Sequence, residues 1–513
     1  MKIKFLKYIL PVAAALSCTS CLDKYPSDSI PMDEAVNTAD DMNQLMIGVY
    51  SAFKSGSLYS GALTLLPDIQ ADFVFSVKEN NNTYGDIWRW NEIKATNTDI
   101  EGVYGALYDV INRANFLLDQ EGKVRANTTD DDELDRIDQY CGEAYFARAL
   151  AYSELLKCFC KPYDSDEDAE KQLGVVLTEH YNGNEPVRRA TLKASYEFVL
   201  ADLDKAAELL YLGDDFNPSV DGVLYNTEYF NEYTCYALRA RLALNMRKWD
   251  EAIKYSTKVI ESGYYTLSSC SSEITKGESF YQYMWDYGNS TEAIWKVAMT
   301  LNSYGGALGR IFFNFDNVSY KPDYVPATWV LNLYGNTDLR ARAFFKTAVT
   351  GYSHGLQWPT LYKYFGNQEL FLPYRIFGVC IPMVLRLSEQ YLIRAEAYVQ
   401  KDAPEYGKAG KDISAIRAAR YSSYGGNTAM DGSNAMTIIE EERVKELYME
   451  GFRLNDLKRW HKGFERKVSD QSAEYFTQSD LKVAKDDPLF VWPIPQHEIE
   501  SPGADIQPNE SNK

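Results

Sequence analysis

The stretch that most restricts the fold runs from 137 to 155. Ile137, Tyr140, Cys141, Ala144, Ala147, Ala151 and Leu155 recur at steps of three and four residues, the period that lines side chains along one face of an α-helix. Much of that face is small, so a second helix can approach it closely. A similar stripe, Val199, Leu203, Ala206, Ala207 and Leu210, follows Thr191, which is placed to cap a helix start. Further on, "YALRARLALNMRKWDEAIKYSTKVIES", 236–262, divides at "MRKW" into two helical halves with Ala240 and Ala252 twelve apart. "YLIRAEAYVQKDAPEYGKAGKDISAIRAAR", 391–420, repeats that spacing with Ala397 and Ala409. Each reads as a tetratricopeptide-like hairpin, although any alanine-lined antiparallel pair has a similar pattern. The expected fold is mainly α, a scaffold of tetratricopeptide-like helical hairpins.

Between about 263 and 385 the helical period breaks down. "TEAIWKVAM" alternates like a short strand, and 301–382 is dense in Gly, Tyr, Phe and Pro. An irregular, loop-rich, ligand-binding portion inserted in the scaffold is expected there, since loops held on a rigid frame commonly carry binding. The acidic loop "YDSDEDAEKQLG" alternates Asp164, Asp166 and Asp168 as a calcium loop does. It lacks the glycine after the third aspartate and has Val175 at the twelfth place, so a solvated loop fits better.

The N-terminus sets the compartment. Lys2, Lys4 and Lys7 precede an apolar run, Ile9 to Leu16, far short of the roughly 20 apolar residues a membrane span needs. Ala15-Leu16-Ser17-Cys18 looks like the lipobox of a bacterial lipoprotein, with Cys18 as the acylated first residue. The alternative is an ordinary secretory signal beside a structural cysteine. Several acyl chains on one residue would anchor the protein without spanning the bilayer. The chain of 513 residues carries a net charge of −20, with no basic cluster, which argues against nucleic acid as a partner. Aromatics make up 14% of the residues, with 39 Tyr and 9 Trp, side chains suited to sugars or peptides at a wet surface. The cysteines beyond Cys21 show no metal-type spacing and are expected as mostly buried thiols, and the four histidines suggest no metal site. No cofactor is expected.

Five stretches, in order, resemble the SusD/RagB family of outer-membrane nutrient-binding lipoproteins. These are "CTSCLDKYPSD", "RRATLKASYEFVLADLDKAAELL", "RLSEQYLIRAEAYVQ", "IIEEERVKELYMEGFRLNDLKRW" at 438–460, and "FVWPIPQHEI". The fourth holds Glu442-Arg443, Glu446-Leu447, Glu450-Gly451, Arg453, Asp456-Leu457 and Arg459-Trp460 at the family's spacing. The resemblance implies a signal peptide over 1–17, an N-terminal helical region over 18–225 and a tetratricopeptide-like hairpin over 226–280. A C-terminal region over 281–513 follows, loop-rich at 300–385 and helical at 386–460. It also implies an outer-membrane location, oligosaccharide or sometimes peptide as cargo, a SusC-type TonB-dependent transporter as partner, and no catalytic activity.

The carboxylates Glu442, Glu446 and Glu450 fall on one helix face, as an acid/base pair would, but Arg443, Lys445, Arg453 and Arg459 are interleaved with them. Structural ion pairs are expected, through Glu450–Arg453 and Asp456–Arg459, with Arg394 as a further partner. The same reading applies to Asp338-Leu339-Arg340. The candidate ligand site rests on "TYGDIWRWNEI", 83–93. If extended, it projects Trp88 and Trp90 from one face as a stacking platform, with Asn91 alongside to bond hydroxyls. In the starch-binding relative this region resembles the part that supplies a stacking Trp and a nearby Asn. The alternative is that one Trp staples the following helix to the scaffold. "FYQYMWDYG" offers Tyr281, Tyr283 and Trp285, and "HGLQWPTLY" offers Trp358. Competing functions are a secreted helical glycoside hydrolase and a peptide-binding or purely structural lid of the same transporter.

Overall fold

The computed structural model describes residues 35–512 apart from 92, 182–186, 211–218, 221–222, 225–226, 316–318, 350, 352–356 and 468–479. Residues 1–17, Cys18 and Cys21 lie outside the described residues. The fold is mainly helical.

The scaffold begins with α1 (Ala39–Ala52), α2 (Thr98–Ala126), α3 (Asp131–Phe159), α4 (Leu192–Leu209), α5 (Glu232–Asn245) and α6 (Trp249–Ile260). Most of these starts are fixed by short polar side chains that accept from free backbone amides. Asn97 accepts from Asp99 and Ile100, Asp130 from Glu133, and Thr191 from Ala194. Thr38 with Asp41 and Asn231 with Thr234 form reciprocal capping boxes. The small-residue stripe of α3 is buried between α2 and α4. The approach is so close that a methyl group added at Gly142 would lie 2.8 Å from Leu210 Cγ.

The chain then passes through α7 (Phe280–Tyr287), β1 (Ala293–Lys296), β2 (Phe345–Val349), β3 (Gln357–Leu361) and β4 (Met383–Arg386). It returns to helix in α8 (Leu387–Gln400), α9 (Tyr406–Arg420), α10 (Ala435–Glu446) and α11 (Arg453–Arg459). Among the described residues every ladder has two strands; β1 pairs with β4 and β2 with β3, both antiparallel. The strand at Ala293–Lys296 is buried at every position, so its two faces are both covered and the expected alternation is not realised as exposure. The two hairpins read from sequence pack on each other: Ala240 and Ala252 share an apolar cluster with Ile393 and Ala397. The irregular portion has its own aromatic core, in which Phe73, Trp88, Tyr281, Trp285, Phe344, Trp358, Tyr364 and Tyr448 are all buried. Cys141, Cys158, Cys160, Cys235, Cys270 and Cys380 are buried free thiols.

A buried ion network joins scaffold and irregular portion. Glu446 on α10 receives Arg386 at 2.6 Å, Arg420 at 2.8 Å and Arg340 at 2.9 Å. Arg386 and Arg420 also share Glu292, Arg340 binds Asp338 and Glu442, and Lys363 pairs with Glu450. The expected Asp456–Arg459 pair is present at 2.8 Å. The expected Glu450–Arg453 pair is not the one formed: Glu450 binds Arg386 and Lys363, and Arg453 reaches Asp72 with two hydrogen bonds. The turn between α10 and α11 separates those two residues, so i,i+3 spacing no longer makes them neighbours. Arg394 likewise turns to Asp412 on α9 rather than to the glutamate stripe. Asp164 and Asp166 are held by Arg247 and Lys248, and among the described residues no group of acidic, His or Cys side chains is arranged to hold a metal.

Burial alone would raise the Glu442 carboxyl, but Arg340, Lys445 and Arg417 outweigh it and hold the pKa at about 2 against the usual 4.5. A depressed carboxyl adds stability above its unfolded pKa and loses it as pH falls towards the folded value. Stability to urea is therefore expected to drop between pH 4.5 and about 2, with a shallower drop in Glu442→Gln. At neutral pH, Glu446→Gln is expected to cost about 3–5 kcal/mol, because it leaves three buried guanidiniums underpaired.

Candidate functional site

The segment expected to be extended, 83–93, is instead a single helical turn at Gly85–Arg89. It is bounded by Tyr84 and Trp90, both left-handed at φ 58° and 59°. Two tryptophans two residues apart no longer share a face in that geometry. Trp88 is 1% exposed, donates its indole N–H to Val74 O at 3.1 Å and lies under the Arg466 guanidinium. Trp90 donates to Gln70 O and packs edge-on against Phe464 and Phe490. Asn91 is exposed beside them. The pair anchors loops to the core and does not form the expected platform.

"FYQYMWDYG" is helical, although it falls where the sequence shows no helical period. Ser279 caps it by accepting from Gln282 N, and Gly288 ends it at φ 70°. A 3.6-residue repeat then separates its aromatics. Tyr281, Met284 and Trp285 point inward and are buried, Tyr281 against Arg420 and Trp285 against Lys363. Trp285 lines a small cavity of about 30 Å³ whose wall is part apolar and part charged, the charges being Glu154, Lys157, Arg241 and Glu450. Tyr283 and Tyr287 point outward, both half-buried, with ring centroids 4.5 Å apart and planes within 22°.

The β2–β3 hairpin and the turn after it approach this helix on the side of Asp286. Lys346 places its ammonium 3.2 Å from the ring centre of Tyr362, and Tyr362 stacks on Phe365 at 4.9 Å. Asp286 lies close enough to the hairpin to feel the Lys346 charge. It accepts from Gln282 Nε2 at 2.9 Å, and burial, opposed by Gln282 and Lys346, pushes its carboxyl up to about 6. Burial also lowers the Lys346 ammonium and raises the Tyr362 hydroxyl to about 12. Trp358 sits on β3 opposite Ala348 and is buried, contributing support to the hairpin rather than an open ring face.

Of the expected site residues, the structure thus leaves Tyr283 half-buried on the outward side of its helix and places Trp358 inside the β2–β3 hairpin. Trp88, Trp90 and Trp285 are turned into packing. The candidate-site residues not singled out from the sequence are Gln282, Asp286, Tyr287, Lys346 and Tyr362. The i,i+4 spacing of Tyr283 and Tyr287 was a usable signal once the segment is taken as helical. Nothing local marks Lys346 or Tyr362, which arrive through the β2–β3 pairing. Lys346 and Phe365 cover the two faces of Tyr362, so the ring surface left for a ligand is the ledge of stacked Tyr283 and Tyr287, with the carboxylate of Asp286 and the amide of Gln282 on the same helix. That combination suits a polyhydroxylated ring with apolar C–H faces.

Comparison with known proteins matches this architecture. The family described as "Starch-binding associating with outer membrane" matches residues 21–220, and the SusD family matches residues 378–509. The chain belongs to the SusD/RagB family. Its fold is similar to that of a SusD superfamily protein from Bacteroides thetaiotaomicron, at 23% identity and a TM-score of 0.75, covering 92% of this chain and 99% of that one. It is similar also to a putative sugar binding protein from Bacteroides vulgatus, at 22% identity and TM-score 0.74, covering 93% and 100% of the two chains. A SusD-like carbohydrate binding protein from Bacteroides vulgatus follows at 17% identity and TM-score 0.71, covering 92% and 98%. No curated protein matches the sequence. Among the described residues no helix is long and apolar enough to cross a membrane.

The two kinds of aromatic are expected to separate on mutation. Trp88→Ala should cost about 3–5 kcal/mol of stability in urea titration, as for a large buried aromatic. Tyr283→Ala, at a half-buried surface position, should cost about 1 kcal/mol or less.

Proposed function

We propose that this protein is a cell-surface glycan-binding lipoprotein that captures oligosaccharides and passes them to a SusC-type TonB-dependent transporter. The observation that supports it most directly is the outward pair Tyr283 and Tyr287 with Gln282 and Asp286 on the same helix, Asp286 lying within reach of the Lys346 charge. Ring faces stack on the C–H faces of a pyranose while the polar edge bonds its hydroxyls. Membership in a family described as starch-binding and associated with the outer membrane supports the same reading. Affinity is modest on this account, because each hydroxyl must shed water before it bonds protein.

The anchor in this proposal is an acylated Cys18, and the transporter is the partner that the family relationship suggests. We further propose that the protein is a receptor without catalytic activity. The glutamates that could suggest acid/base chemistry, Glu442, Glu446 and Glu450, are each engaged by buried cations, which favours a structural role for them.

Affinity electrophoresis in gels containing different polysaccharides tests the binding. One polysaccharide should retard the protein, and Tyr283→Ala and Tyr287→Ala should each weaken retardation by about 1 kcal/mol, roughly fivefold. An Asp286 carboxylate accepts from hydroxyls better than its protonated form does. Binding should therefore tighten as pH rises through about 6 and should lose that dependence in Asp286→Asn. Retardation unchanged in all three variants would place the glycan elsewhere. Mass spectrometry of the mature N-terminus should find acyl chains on Cys18.

A further inference from the structure

A second cavity, of about 200 Å³, opens beside the C-terminal half of α1. It shares no residue with the tyrosine ledge. One wall is apolar and partly in water: Ile47 is 51% exposed and Tyr229 52% exposed. Tyr229 meets Tyr50 edge-to-face at 5.7 Å, and Tyr50 is itself fixed by accepting from Phe230 N at 2.9 Å. The wall is therefore shaped before any ligand arrives.

The other side is polar and built from separate segments. Lys54, just beyond α1, holds its ammonium on Ser303 Oγ at 2.8 Å and Ser303 O at 3.2 Å. Those bonds use two of its three donor directions, and both acceptors are neutral. Partial burial lowers its pKa, and the attraction of Glu228 acts from further off in the other direction. Glu228 stands at the rim, 3.4 Å from Lys296 Nζ, with its side chain about half exposed. The cavity thus presents one positioned ammonium whose hydrogen-bond partners are neutral, a carboxylate acceptor and an aromatic-aliphatic wall. Its volume suits a single ring, below the roughly 300–1,000 Å³ of sites for drug-sized molecules.

We propose that this cavity is a binding site for an acidic monosaccharide unit, a uronate, whose carboxylate meets Lys54 while its C–H face lies on Tyr229 and Ile47 and its hydroxyls bond Glu228. A charge-assisted bond to an ordered ammonium gives the selectivity. Because the chain carries a net charge of −20, attraction of the anion is local to the two lysines of this lining, of which Lys296 is already paired with Glu228 and Lys54 is not. This site goes beyond the ledge and does not depend on it.

Isothermal titration calorimetry of the protein with D-galacturonate, D-glucuronate and their neutral counterparts galactose and glucose tests it. At least one uronate should bind at least tenfold more tightly than its neutral counterpart. Lys54→Met should abolish that tenfold preference, and Tyr229→Ala should weaken uronate binding several-fold. Tyr283→Ala, on the ledge, should leave uronate binding unchanged, so failure here and failure of the ledge reading are distinguishable. Lys54→Arg, which keeps the charge, should retain the preference and guards against a folding defect in Lys54→Met. A short oligouronate should bind at least as well as the monosaccharide if the unit is taken from a chain end. Absence of uronate binding, equal binding of acid and neutral sugar, or a preference that survives Lys54→Met would overturn the proposal.

Discussion

The structure depends on Glu446, a fully buried carboxylate receiving three guanidiniums from three separate parts of the chain. Arg420 ends α9, Arg386 ends β4, and Arg340 comes from the irregular portion. A buried ion set is not chiefly a source of stability, since desolvating each charge costs several kcal/mol. Its effect is conditional: each cation is tolerable only where its carboxylates are, and displacing one leaves the others underpaired. The network therefore fixes how the aromatic portion sits on the helical frame. An apolar contact of the same area would permit sliding, because burial of apolar surface is non-directional.

That constraint reaches the candidate site through α7. Tyr281 lies over Arg420 at 4.2 Å, and Trp285 covers Lys363 at 4.0 Å and Arg386 at 5.7 Å. These are cation–π contacts from one face of the helix to the network. Tyr283 and Tyr287 occupy the opposite face. Fixing the inner face of so short a helix fixes its outer face, so the ledge inherits its position from ion pairs it never touches. Lys363 adds a second tie, since the turn that contains it also carries Tyr362.

Much of the frame was legible in the sequence because helix period, caps and small-residue spacing are local. The stripe at 137–155, the cap at Thr191 and the two alanine spacings of twelve all correspond to observed helices and contacts. The ion pairs were legible in kind but only partly in partner. Asp456 and Arg459 lie within one helix and find each other, whereas Arg386, Arg420 and Glu292 are brought to Glu446 or to one another from far along the chain. The site was read less well for the same reason. Trp88 and Trp90 looked like a platform only if the backbone was extended. The left-handed residues Tyr84 and Trp90 that bound a helical turn there carry no composition signal of the glycine kind. An aromatic side chain serves equally as core and as ligand surface. Which role it takes is decided by tertiary neighbours such as Arg466 over Trp88 and Lys346 over Tyr362.

A division of labour of this kind is compatible with the chain's sharing its fold with solved structures at 17–23% identity. The helical frame and its charge network tolerate few changes, because a substitution at Glu446 or Arg420 disturbs several partners at once. The candidate-site residues Tyr283, Tyr287 and Tyr362 are half-buried and the cavity residues Ile47 and Tyr229 about half exposed. None of the five takes part in the ion network, and the surface positions among them, Tyr283, Ile47 and Tyr229, can be replaced at little cost in stability. Ligand preference can then change by altering ring faces and rim charges while the frame that aims them stays fixed. Under the proposed uronate site, a single ammonium, Lys54, held by a serine hydroxyl and a backbone carbonyl, distinguishes an acidic from a neutral sugar without any change of fold.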